Sequence, residues 1–179
     1  HRIATNLIAQ QLQTIAVKEK LTLEPAAAHA IARGAEGGMR DAESMLDQLV
    51  AFCGETIKES DVLNVFGFTS QQMVIDFVGR ILRGETADAL ALLHEQCEAG
   101  KDMMKLMSDT IAYLRDLLVF KVKPDALSDD ASLEMRAAFN EQAPLLETDR
   151  LLELIDQFAA AEGRMKWAPN KKLHFEVAV

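Results

Sequence analysis

Arg40 is the residue of this chain whose type and position most invite chemistry. It stands two places after the pair Gly37-Gly38 in "EGGMRDAESMLDQL", residues 36–49, in the first turn of an expected amphipathic helix. A helix N-terminus already carries the positive end of the backbone dipole, so a cation there costs roughly 0.3–1 kcal/mol at an exposed site. Two readings account for it. Glu43, three residues on, can hold the guanidinium in a pair worth roughly 0.2–0.5 kcal/mol, while Asp41 suits the helix start. Alternatively the guanidinium is presented to an anion, because its planar fork bridges phosphate oxygens and cannot be deprotonated.

Other chemistries find little support. His1, His29, His94 and His174 are scattered, with no H-E-x-x-H and no ligand spacing to a cysteine, so no metal site is expected. Cys53 and Cys97 form no CxxC and read as buried thiols of a reducing compartment. The phosphate loop GxxxxGK[ST] is absent and the carboxylates fall on polar helix faces, so the chain alone is not expected to hydrolyse a nucleotide. A net charge of −9 argues against a broad grip on nucleic acid. The one basic cluster, Arg164, Lys166, Lys171 and Lys172, reads as a modest solvated patch. No apolar run approaches the roughly 18 residues of a membrane span and no signal peptide is visible, so a cytoplasmic location without membrane contact is expected. The chain starts at His1 without a methionine, which suggests a piece of a longer protein.

The elements that must position Arg40 are helices. With 179 residues, 49% hydrophobic and 26% charged, the chain suits one large or two small core-forming domains. Ile8, Leu12 and Ile15 keep helical spacing over 4–20, and Pro25 opens a second helix that Gly37-Gly38 is expected to end. Met39, Ala42, Leu46, Leu49 and Val50 form the buried stripe of the next helix, opposite Arg40, Glu43, Ser44 and Asp47. After Gly54, "TIKESDVLNVFG" adds a short helix closing a four-helix unit at Gly67. Thr69 and Gln72 have capping-box spacing. Helices follow at about 70–83, 86–99 and 102–123, then at 132–142 after the polar loop "PDALSDDAS", at 148–165 in "TDRLLELIDQFAAAEGRM", and after Trp167 in "APNKKLHFEVAV". No strand alternation is visible.

Three separated stretches carry a family resemblance. "IARGAEGGMRDAESMLDQLVAFCGETIKESDVLNVFG", residues 31–67, resembles the lid of the bacterial DNA polymerase III gamma/tau clamp-loader subunits, whose pattern is close to "ARAAxGSMRDALSLLDQ…VxxxDVxxxLG". "AYLRDLLVFK", residues 112–121, resembles their long collar helix. "KWAPNKKLHFEVAV", residues 166–179, resembles their closing "W-x-P-N-x-x-L-x-x-E" segment. The resemblance implies an all-α chain, with a small AAA+ helical lid at residues 1–67 and a helical-bundle collar at residues 68–179.

It further implies that Arg40 is the sensor-2 arginine reaching the γ-phosphate of ATP, with Met39 near the same nucleotide. The Walker A, Walker B and SRC elements, the zinc module and the magnesium-dependent ATPase activity would belong to sequence before residue 1. Residues 68–179 would assemble with other loader subunits, namely gamma/tau copies, delta and delta-prime. The sliding clamp and primed DNA would be met only through the assembled complex. Gly38 stands for the family's usual serine and Glu43 for its usual leucine. The intact arginine favours gamma/tau over delta-prime. The rival readings are a helical scaffold or adaptor with no nucleotide function, and a helix-turn-helix DNA binder, which the acidic balance disfavours.

Overall fold

The computed structural model describes residues 3–127 and 131–179. His1, and Ser128 to Asp130 of the loop "PDALSDDAS", lie outside the described residues. Contacts divide the chain into two compact units, His1–Phe68 and Thr69–Val179, each with its own apolar core.

The first unit runs α1 (Thr5–Lys18), β1 (Thr22–Leu23), α2 (Pro25–Gly34), α3 (Met39–Cys53), β2 (Thr56–Ile57) and α4 (Glu59–Phe66). Its inner element is α2, which buries Ala27, Ala28, Ala30, Ile31 and Ala32. Such short side chains let α1, α3 and α4 approach its backbone from several sides. Ile8, Leu12 and Ala16 of α1 and Ala42, Leu46 and Leu49 of α3 complete the core. Ile15, Met39 and Val50 are only half-buried at its margin.

Two expectations are corrected here. First, the unit contains strands, a parallel two-residue ladder pairing Thr22 with Thr56 and Leu23 with Ile57. Thr22 N–H donates to Glu55 O at 2.7 Å and Glu24 N–H to Ile57 O at 3.1 Å. The Glu24 carboxylate then accepts from Glu59 N–H at 3.2 Å, meeting one orphan donor at the start of α4. Second, α2 ends at Gly34 rather than at the glycine pair. Glu36 (φ 51) and Gly37 (φ 87) make a left-handed turn, and Gly38 is the N-cap of α3. The end of α4 is as expected, with Gly67 at φ 67, ψ 30 as its C-cap.

The second unit runs α5 (Gln71–Leu82), α6 (Thr86–Glu98), α7 (Met103–Val122), α8 (Leu133–Gln142), α9 (Thr148–Met165) and α10 (Lys171–Ala178), with single 3-10 turns at Pro124–Ala126 and Ala143–Leu145. Ser70, not Thr69, caps α5, accepting from Met73 N–H at 3.1 Å. Thr69 is instead buried, its hydroxyl without a partner among the described residues. The central α7 packs against α5, α9 and α10. Phe175 of α10 meets Phe77 and Phe158 edge-on, at centroid distances of 5.6 and 6.1 Å. One buried polar bridge crosses this core. Tyr113 O–H donates to Gln142 Oε1 at 2.7 Å, and Gln142 Nε2 donates to Ile75 O at 3.1 Å, tying α8 to α7 and α5. Burial, and secondarily Glu141, push the Tyr113 phenol well above its usual range. Cys53 and Cys97 are free and half-buried, less enclosed than expected.

Candidate functional site

The chain meets α3 through the turn Ala35–Gly38. Gly38 N–H closes it onto Ala35 O at 3.0 Å, and Gly37 O accepts from Ile3 N–H at 3.1 Å. The first helical hydrogen bond of α3 runs from Ala42 N–H to Gly38 O, 3.1 Å. The N–H groups of Met39, Arg40 and Asp41 precede it, and the glycine at the N-cap offers no side chain to satisfy them. Among the described residues nothing caps these three donors at the positive end of the helix, which leaves them for water or an anion.

Arg40 is the second residue of that helix and is exposed. The pair with Glu43 does not form: among the described residues Arg40 is in no ion pair or side-chain hydrogen bond, and Glu43 is exposed beside it. Helix periodicity brings the two within reach, but an exposed pair gains too little to fix two long side chains in one geometry. Met39 and Arg40 are neighbours in sequence and diverge in space. Met39 packs against the unit's core, while Arg40 faces solvent with Ser44 and Asp47.

Asp41 is the feature that sequence reasoning undervalued. A Cβ built on Gly38 would lie 2.8 Å from Asp41 Oδ2, so the carboxylate folds back over the N-cap. An acid at the third position of an uncapped helix offsets the exposed N–H dipoles. The signal was present in the sequence as an aspartate three residues after a glycine that cannot cap.

Residues 7–55 match the family model described as the DNA polymerase III clamp loader subunit, ATPase lid domain. Residues 57–179 match that of domain III of DNA polymerase III subunits gamma and tau. The chain belongs to the DNA polymerase III gamma/tau clamp-loader subunit family. It is 34% identical over 178 residues to the DNA polymerase III subunit tau of Bacillus subtilis, covering 99% of this chain and 32% of the relative. With the tau subunit of Escherichia coli it shares 24% over 173 residues, 96% of this chain and 27% of the relative. The chain therefore spans about a third of the length of these curated relatives. Among solved structures it resembles the Bacillus subtilis DNA clamp loader delta protein, with a TM-score of 0.54 and 18% identity, over 99% of this chain and 56% of that one. That likeness concerns the fold. The all-α architecture of a clamp-loader lid followed by the helical collar bundle is thereby shown. None of the described helices is long and apolar enough to cross a membrane.

Proposed function

We propose that the first unit acts as a nucleotide-sensing lid, in which Arg40 meets the γ-phosphate of ATP and Met39 lines the same site from the core side. The single observation that carries this is Arg40 itself: an exposed arginine without an ion pair among the described residues, on a helix start whose three N–H groups no side chain caps. Such a corner fits an anion chemically, because a guanidinium fork and uncapped backbone N–H donors each suit phosphate oxygens. Bound ATP, with its magnesium, supplies the phosphate charge; these residues bind and orient it, and the remaining contacts belong to other parts of the longer protein.

Residues 68–179 form the assembly half in this reading, joining gamma/tau copies, delta and delta-prime in a ring that places the sliding clamp on primed DNA. Val122, Leu133, Leu152, Leu173 and Val177 support it as large apolar side chains left exposed on this unit.

The test is made in the full-length subunit carrying this chain. Arg40→Ala removes a charge-assisted contact worth about 1.5–3 kcal/mol, so ATP-dependent clamp loading is expected to fall roughly tenfold or more. Thermal stability should change by less than about 0.5 kcal/mol, since an exposed side chain leaves no cavity. Loading at the parental rate would reduce Arg40 to an ordinary surface arginine.

A further inference from the structure

Between Arg164 and His174 the chain carries Arg164, Lys166, Lys171 and Lys172 and no acid, within a protein of net charge −9. The structure divides this cluster. Lys172 turns to the Nδ1 of His94 and lies 3.7 Å from Glu176. Arg164, Lys166 and Lys171 are exposed, and none of them is in an ion pair among the described residues. Among these three stands Trp167, the one tryptophan of the chain, 89% exposed.

That exposure follows from the fold. Met165 at the end of α9 and Phe175 in α10 are fully buried and anchor the segment at both ends. Trp167 N–H donates to Arg164 O and Ala168 N–H to Met165 O, each at 3.3 Å, which holds the turn while the indole stays outside. An indole in water forgoes one of the largest burial gains open to any side chain.

Two kinds of occupant use an exposed aromatic. A tryptophan that anchors a protein partner sits inside a rim that excludes water. Here the residues flanking it in sequence are the cations Lys166 and Lys171 with Ala168, Pro169 and Asn170 between, and none of them is a large apolar side chain of the kind that builds a water-excluding rim. A nucleobase needs only the open face of the ring, with cations on either side for its phosphates.

We propose that Trp167 with Arg164, Lys166 and Lys171 is a contact site for single-stranded nucleic acid, the indole stacking on a base and the three cations meeting phosphates beside it. The patch is small, so binding is weak and steeply salt-dependent. Three phosphate contacts on a single strand give a slope of log K against log salt of about −2. The inference does not rest on the role of Arg40.

The 179-residue chain allows a direct test, because its fluorescence under tryptophan excitation reports Trp167 alone. An oligothymidylate of about 12 nucleotides, titrated at low salt, is expected to quench that signal saturably. Salt should weaken the binding with the slope given above. Trp167→Ala, followed by anisotropy of the labelled oligonucleotide, should bind about tenfold more weakly, while Trp167→Phe, which keeps an aromatic face, stays within about threefold of the parent. Joint Lys166→Gln and Lys171→Gln should flatten the slope to about −0.7. Absence of quenching would overturn the proposal, as would a Trp167→Ala variant that binds like the parent. Equal quenching by polyglutamate would overturn it too, and would mark the patch as a surface for acidic protein.

Discussion

Gly79 and Gly163 both lie inside helices of the second unit, and intrinsic propensity assigns alanine the same gain of about 1 kcal/mol at each. Their surroundings reverse one of the signs. A Cβ at Gly163 meets nothing within 4 Å, whereas one at Gly79 lies 2.9 Å from Gln142 Nε2 and 3.1 Å from Arg83 Nη1. The arginine tip is at the surface and can swing away. The Gln142 amide is held from both ends, by Tyr113 O–H at 2.7 Å and by Ile75 O at 3.1 Å, and it is buried. Displacing it leaves buried polar groups unsatisfied at about 1–3 kcal/mol, which outweighs the helix gain at mid-range by about 1 kcal/mol. Gly163→Ala is therefore expected to stabilise the unit by about 1 kcal/mol and Gly79→Ala to destabilise it by about as much, a spread of about 2 kcal/mol. Urea titrations with amide exchange read on α5 and α9 measure this unit's own stability. Equal shifts in the same direction would refute the claim that the Gln142 bridge is rigid.

Tyr113→Phe leaves Gln142 Oε1 buried without its donor and should cost about 1–3 kcal/mol by the same titration. The raised Tyr113 pKa also sets a pH dependence: the unfolded chain releases the phenol proton near pH 10 while the folded one keeps it, so stability is full below about pH 10 and falls above it by up to about 1.4 kcal/mol per pH unit. Subtracting the melts of Tyr113→Phe from those of the parent isolates that slope from the lysines. Phe175→Ala removes the fully buried ring that docks α10, and since an eight-residue helix does not persist alone, amide protection across Lys171–Ala178 should be lost for about 3–5 kcal/mol or less. Gly34→Ala drives a methyl into the Phe68 ring and should lower the first unit's stability by about 1–3 kcal/mol, measured by thermal melts.

Long helices were legible in the sequence because their apolar residues hold one phase over several turns. The stretch 148–165 is α9 to the residue, and Gly67 ends α4 as its freedom at positive φ predicts. The lid and collar were legible too, through the stretches at 31–67, 112–121 and 166–179, and family models now cover both. The β1–β2 ladder was not legible, since two residues per strand show no alternation and the partners lie 34 residues apart, Thr22 with Thr56. Local spacing also misassigned the α5 cap, because Thr69 and Ser70 are both capable hydroxyls and only the path of the chain decides which is buried. At the candidate site the sequence placed Arg40 on a polar face near a helix start. Tertiary structure decided that Glu43 leaves it unpaired, that Asp41 folds over Gly38, and that Trp167 stands in solvent. The physical reason is common to all three. Periodicity says which side of a helix a residue occupies, while pairing and exposure depend on what the rest of the chain brings to that side.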